Sequence, residues 1–499
     1  MLLVKKNTFF ALVLALLHLP IFFINNSWDG SIIDYGFSIQ DLSGIKIWYW
    51  ESSSNFQFII INFLFIIKNL LNFSNELIFD LFTIIFLVLF CYEIQKYAQR
   101  VFGLDTHSSQ ACFAFALIYP VWNSLTEINL GLYLFCFYLA ILGYRLFINK
   151  KFIINSLGII LMLCSFSIKS NFAFVLALPL IEFVHFFFQK KSIKYYVLAQ
   201  IASLCVISYL INSFYFPPYG SYAGYNQIQL NNLNFIEIVK NLNDYFSFLF
   251  YFSFIPAIFF IYLKFSYKSK TTIFDSKTNF SFLVLFIFFL ITLAPYILVQ
   301  KSIDIFNFSN FDSRHAYLTV VPVSIFLAVI VKKISEKISF KASILLKYLI
   351  IFQSLLILSL SYFVKYNSTL VDNNLIKTFK NLDEPRSGYI ILYSDKLSRS
   401  YYHLNNLLYK SYNKAAWLVE INKKDKLKNI NKEEFIKENS TEILSKEAYP
   451  IKHAMNNQSD KCLTLYEFVN EINNKELITK LYLFNQKKYF ILKKINEDC

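Results

Sequence analysis

Residues Ser27 to Phe56 read SWDGSIIDYGFSIQDLSGIKIWYWESSSNF. This polar stretch lies between two long apolar segments. It holds four carboxylates, Asp29, Asp34, Asp41 and Glu51, with Trp28, Trp48, Tyr49 and Trp50 interleaved. The segment before it, roughly Phe9 to Ile24, is apolar and follows Lys5 and Lys6. A cleaved signal peptide would have a shorter apolar core and a small-x-small cleavage site behind it. The run is therefore expected to remain as a first membrane helix, with the acidic stretch as the first loop on the far side.

The rest of the chain agrees with a membrane setting. Of its 499 residues 56% are hydrophobic, with 57 Phe but only 10 Gly and 10 Pro, which excludes disordered, collagen-like and ordinary soluble classes. Apolar runs of roughly 16 to 21 residues recur through the first three quarters, long enough for a bilayer core of about 30 Å. In lipid these must be helices, because unpaired backbone groups find no water. So few glycines predict helices packed through aromatic and branched side chains rather than small-residue seams. The net charge of +15 does not imply nucleic acid, since much of the basic excess falls in short loops between spans, where it sets orientation. Five of the seven cysteines, Cys91, Cys112, Cys136, Cys164 and Cys205, lie in or beside apolar spans and are expected to be buried bystanders. Cys462 and Cys499 lie in the tail, where an oxidising compartment would let them pair. No spacing of metal-ligand type appears, and neither a metal nor a cofactor is expected.

The basic loops Lys5/Lys6, Lys96/Arg100, Arg145/Lys150/Lys151, Lys190/Lys191/Lys194, Lys264/Lys268/Lys270 and Lys332/Lys333/Lys337/Lys341 should all be cytoplasmic. Three apolar segments separate the first two, near 9–24, 57–72 and 77–92, and two cytoplasmic ends need an even number of crossings. Gln57 to Asn72, interrupted by Asn62, Lys68 and Asn69, is expected to lie along the outer surface as a juxtamembrane helix. Further crossings fall near 77–95, 108–122, 128–147, 152–168, 171–188, 195–212, 246–263, 280–299, 315–331 and 343–363, giving about eleven with the first. The outer loops are then 25–76, 123–127, 169–170, 213–245, 300–314 and everything after about 364. The tail is rich in Lys, Asn, Glu and Tyr and contains strand-like runs, GYIILYS (388–394) and AAWLVEI (415–421). The fold expected is mainly α, a polytopic bundle over residues 1–363, with a small soluble α/β domain outside the membrane over 364–499.

The order of pieces is familiar. A first helix and acidic loop precede a juxtamembrane segment and a helix ending at a basic, glycine-bearing turn, QRVFGLD (99–105). A helix ending in Pro follows, LIYPVWNSLTEINLGLYLF (117–135), then a short Lys-bearing loop, SIKSNFAFVLALPLIEF (167–183), and late in the chain DSRHAYLTVVPVSIFLA (312–328). Over residues 1–363 this resembles the protein O-mannosyltransferase and aminoarabinose-transferase group of GT-C glycosyltransferases. Where many of that group carry an Asp-Glu pair in the first loop, this chain has Asp29 and Asp34. Where many carry His-Pro-Pro before the juxtamembrane helix, it has ESSSNF (51–56).

The resemblance implies a GT-C bundle that moves a sugar from a polyprenyl-phosphate donor to an acceptor outside the membrane, the acceptor being a glycan, a lipid or a protein. A carboxylate would take the acceptor's proton, and cations or backbone donors would meet the charge developing on the leaving phosphate. Asp34 is the preferred base, with Tyr35 beside it as an aromatic platform for a sugar; Asp29 is the other candidate. The bland alternative for both is a solvated loop acid. Glu51 fills the slot before the juxtamembrane helix. Arg314 is the phosphate candidate, beside His315 and Tyr317, against the alternative of an interfacial Arg reaching lipid headgroups. Lys169, in a turn too short to wander, is the second cation. Glu127 would bind acceptor or cap a helix N-terminus, and the cap is favoured. The loop 213–245, with FPPYGSYAGYN (216–226), has the composition of a lid. Glu182 and His185, in the cytoplasmic half of a helix, are expected in packing or interfacial roles.

The low-Gly, Phe/Ile/Lys/Asn-rich usage suggests an AT-rich bacterial genome, hence an inner-membrane protein among membrane lipids with its tail extracytoplasmic. Two rivals stand beside the transferase. One is a polysaccharide polymerase or ligase of GT-C-like fold, which would lean on arginines in late loops. The other is a lipid-linked glycan transporter, which would show internal repeats or paired broken helices.

Overall fold

A computed structural model describes residues 15–24, 31–38, 40–128, 130–149, 151–189, 195–219, 238–247, 276–299 and 311–380, four C-terminal strands and a few isolated residues between these. Seven of the described helices are long and apolar enough to cross a membrane: Asn75–Phe102, Leu130–Phe147, Ser170–Phe188, Tyr195–Tyr215, Thr278–Leu298, Arg314–Lys337 and Phe340–Phe363. Of the other expected crossings, those near 9–24 and 246–263 lie partly or largely outside the described residues. Those near 108–122 and 152–168 are helices of 12 and 14 residues, Thr106–Leu117 and Phe152–Ser165. At 1.5 Å per residue neither spans a core of about 30 Å as a regular helix. The first of them instead runs into a buried 3-10 segment, Pro120–Thr126. Irregular backbone at that depth is stable only when protein surrounds it.

The first loop folds as three helices, α1 (Ser31–Ser38), α2 (Ser43–Glu51) and α3 (Asn55–Leu71). Ile59, Phe63, Ile66 and Leu70 recur at helical spacing on α3 and are all exposed, while Ile61 and Leu64 are buried. An apolar stripe outside and a second stripe inside suit a helix lying at a lipid surface. The inner stripe packs with Ile33 and Phe37 of α1, Ile45 and Tyr49 of α2, Ile78 and Phe79, and with Ile128 and Leu132. The loop is thus seated on the N-terminal ends of α4 (Asn75–Phe102) and α6 (Leu130–Phe147). Between these two lies α5 (Thr106–Leu117), capped by Asp105, whose carboxylate accepts from the Ser108 N–H at 2.7 Å.

One sequence expectation needs correcting. The bundle does use a glycine seam, between α6 and α7 (Phe152–Ser165). A Cβ on Gly158 would meet the Phe147 nitrogen at 2.5 Å and the Gly143 carbonyl oxygen at 2.7 Å, and one on Gly143 would meet the Gly158 carbonyl at 2.9 Å. The two backbones approach closely because both positions lack a side chain. Glycine is scarce, but two of the ten are spent on one contact.

The remaining helices are α8 (Ser170–Phe188), α9 (Tyr195–Tyr215), α10 (Ser276–Leu298), α11 (Val320–Lys337) and α12 (Phe340–Lys380). The 41 residues of α12 reach about 60 Å, well past a bilayer core. His18 ties the N-terminal segment to this core: its Nε2 lies 2.6 Å from the Leu117 carbonyl and its Nδ1 2.9 Å from the Tyr362 hydroxyl. A carbonyl only accepts, so Nε2 carries the proton and Nδ1 accepts from tyrosine. Toward the C-terminus, β1 (Tyr389–Tyr393), β2 (Trp417–Glu420), β3 (Leu463–Asn470) and β4 (Phe490–Asp498) form one sheet in the order β2-β1-β3-β4. The first three are parallel, with Tyr389 opposite both Trp417 and Leu463, and β4 is antiparallel to β3. Cys91, Cys112, Cys136 and Cys205 are buried and free; Cys164 is half-buried. Cys462 and Cys499 lie outside the described residues.

Candidate functional site

Asp34 sits on α1, in a first loop pressed against the mouth of the bundle, and is 1% exposed. Its Oδ1 accepts from the Asn75 amide at 2.7 Å, at the start of α4. Its Oδ2 pairs with the Lys410 ammonium at 2.8 Å, and Lys410 also reaches Glu76 at 3.4 Å. A solvated loop acid would have neither the burial nor these partners. Burial works against the Lys410 ammonium, but Asp34 and then Glu76 outweigh it and hold its pKa above the ordinary lysine value.

One turn along α4 from Glu76 lies Asp80, 8% exposed, on the same face by helical spacing. Among the described residues no hydrogen bond or ion pair reaches its carboxyl, and the charge nearest in effect is Glu76. The sequence alone does not single out Asp80, Glu76 or Lys410. The signal for Asp80 was available: an acid a turn inside an apolar span is costly and needs a reason.

A second charge pair lies close by. Glu127 follows the 3-10 segment Pro120–Thr126 and binds Lys365 of α12 at 2.9 Å, with side chains 1% and 0% exposed. Its neighbour Ile128 packs with Ile33 and Phe37, on either side of Asp34 along α1. The described carboxylate contact of Glu127 is therefore to a buried lysine on a distant helix, beyond the local cap that the sequence favours.

The predicted cations occupy the same end of the bundle. Lys169 flanks the N-terminus of α8 and is exposed. The next residue, Ser170, accepts from the Tyr296 hydroxyl at 3.0 Å, and the Tyr296 ring lies 4.9 Å from that of His315. Arg314, half-buried in the 3-10 segment Phe311–Thr319, acts electrostatically on both Tyr296 and Tyr317. Tyr317 is fully buried, bonded to the Ser124 hydroxyl at 2.7 Å and packed edge-on against Trp122, so it holds the two 3-10 segments together. His315 is likewise packed rather than open, at 5% exposure.

Glu51 ends α2, half-buried, and its carbonyl accepts from the Tyr219 N–H at 3.0 Å. Close by, the Ser53 hydroxyl donates to the Phe216 carbonyl at 2.6 Å, and that of Ser54 to the Ser167 carbonyl at 3.4 Å. The α2–α3 turn thus bridges the start of the 213–245 loop and the turn bearing Lys169. Asp29 and most of that loop lie outside the described residues, as does the side chain of Tyr35.

The site assembles Asp34, Asn75, Glu76 and Lys410 directly, with Asp80 one turn further along α4 and the Glu127–Lys365 pair joined through shared packing. Arg314 and Lys169 are joined to each other through Ser170, Tyr296 and His315. The described partners of Asp34 include neither of them. Among the described residues no group of three or more His, Cys, Asp or Glu side chains is arranged to hold a metal ion. Set against protein-family models, curated proteins and solved structures, the chain matches none.

Proposed function

We propose that this membrane-embedded chain is a glycosyltransferase of GT-C type, with Asp34 as general base at the outer end of the bundle. It moves a sugar from a polyprenyl-phosphate donor to a glycan, lipid or protein acceptor. The observation that carries the reading is Asp34 itself: a carboxylate lifted out of water on a loop helix, gripped by Asn75 and Lys410, at the end of the bundle that also bears Lys169 and Arg314. A buried acid with a specific charge partner at a bundle mouth is a candidate functional group. Arg314 and Lys169 take the donor phosphate, and the lipid-facing stripe of α3 lies where a prenyl chain would run. About eleven crossings, an extracytoplasmic unit over 364–499 built on the four-stranded sheet, and a bacterial inner membrane complete the reading.

Membranes containing Asp34→Asn should lose transfer from a panel of polyprenyl-phosphate sugars while the protein stays folded. Full activity in that variant removes Asp34 from the role, and loss in Asp29→Asn alone moves the role there. Asp80 favours a second reading, a proton-coupled carrier of lipid-linked glycan, because a buried carboxyl in a span, without an ion pair among the described residues, suits a proton relay. That reading expects Asp80→Asn to abolish glycan movement across the bilayer, with no sugar transfer detected in the unaltered protein.

A further inference from the structure

Lys410 lies 334 residues from Glu76 in sequence, yet its ammonium stands between Glu76 and Asp34. We propose that Lys410 is a positioning residue for Asp34, so that the C-terminal part of the chain completes the candidate site; this rests on the reading of Asp34 as the base. Each carboxylate oxygen has its own task. Asn75 holds Oδ1 at 2.7 Å, and a second bond from the same amide to the Asp34 carbonyl, at 3.2 Å, fixes the side chain against its own backbone. Lys410 holds Oδ2 at 2.8 Å.

Among the described residues, charged groups near Asp34 come from three elements. Glu76 shares Lys410 with it from α4, Lys68 donates to the neighbouring Phe37 carbonyl from α3 at 3.4 Å, and Lys410 comes from the C-terminal part. A carboxyl that is 1% exposed, with Glu76 drawing on the same ammonium, is pushed toward its protonated form unless positive charge stands against it. A protonated acid cannot accept the acceptor's proton. Lys410 therefore keeps Asp34 in the working form, and Asn75 aims it. At 34% side-chain exposure Lys410 remains reachable from water, so the ammonium can shift as an acceptor arrives.

Infrared spectroscopy of the purified full-length protein tests this without any sugar substrate. The signal is the carbonyl stretch of a protonated carboxyl that disappears when Asp34→Asn is added. At neutral pH that band should be weak, and equally so, in the unaltered protein and in Lys410→Arg. In Lys410→Met it should grow at least about tenfold, the change expected when a paired cation is withdrawn. If Lys410→Met does not fold, Lys410→Gln, which keeps a donor but no charge, should give the same gain. No gain in either neutral variant overturns the proposal, as does an equal gain in Lys410→Arg. Loss of transfer in Asp34→Asn bears on the function and the infrared band on Lys410, so the two can fail separately.

Discussion

Where α4 meets α6 and α8, each acid has its own arginine: Glu93 takes both arms of Arg145 at 2.6 and 2.8 Å, and Glu182 takes Arg100 at 2.7 Å with the Tyr144 hydroxyl at 2.5 Å. Where α4 begins, some 27 to 37 Å away along the same helix, Asp34 and Glu76 share one lysine and Asp80 has none among the described residues. The first arrangement is closed. Arg145 grips Glu93 through two parallel bonds, and Glu182 is met by both Arg100 and the Tyr144 hydroxyl. Among the described residues the second shares one lysine between two acids and draws on chain segments far apart in sequence. A pattern that serves packing alone tends toward the first kind; the second costs stability and is kept where chemistry needs it. Glu182 fits the packing role that its sequence position suggests.

This contrast can be broken or sharpened by variants at either end. The largest expected effect on stability is at the fully buried pair. Lys365→Met leaves the Glu127 carboxylate without its ammonium and should cost about 3–5 kcal/mol, seen as a large drop in melting temperature in detergent. Adding Glu127→Gln should restore most of it, and no restoration would mean that Lys365 acts through other contacts. Arg145→Met at the opposite end should cost less, about 2–3 kcal/mol, because Arg145 is 44% exposed and water can reach its place. Gly158→Ala, in the helix seam, should cost about 1–3 kcal/mol, since its Cβ meets main-chain atoms that cannot rotate away. An unchanged melting temperature would show that the two helices can slide apart freely.

The smallest effect is at the α5 cap. Asp105→Ala should cost about 1 kcal/mol. Burial pushes the Asp105 carboxyl up, but the Ser108 backbone and side-chain hydrogen bonds, His107 and Lys332 outweigh it, so its folded pKa lies below the ordinary aspartate value. The cap therefore stabilises fully above the unfolded aspartate range and is lost as pH falls through the folded value. The melting-temperature gap between the variant and the unaltered protein should close in acid. A gap that persists there would mean the cap does not depend on charge.

Much of this was legible in the chain itself, and what was not has physical reasons. Long apolar runs announce themselves because a bilayer sets their length, and Asn62, Lys68 and Asn69 marked α3 as a helix of different character. Asp34 stood out because an acid amid aromatics after a first span is unusual. Lys410 and Lys365 did not, since both look like ordinary lysines in basic surroundings and their partners lie 376 and 238 positions away. Two of the expected crossings hold regular helices of only 12 and 14 residues, a shortfall hydropathy does not reveal because it registers burial in protein and burial in lipid alike. Gly143 and Gly158 escaped notice because a seam between consecutive helices leaves no repeat within either one.

The most direct measurement compares the two ends in one preparation: sugar transfer per folded molecule, with melting temperature, for Asp34→Asn and Arg145→Met. If the end that bears Asp34 carries the chemistry, Asp34→Asn keeps its fold and transfers nothing, while Arg145→Met melts earlier and transfers normally. Transfer retained by the first variant and lost by the second, both folded, would contradict it.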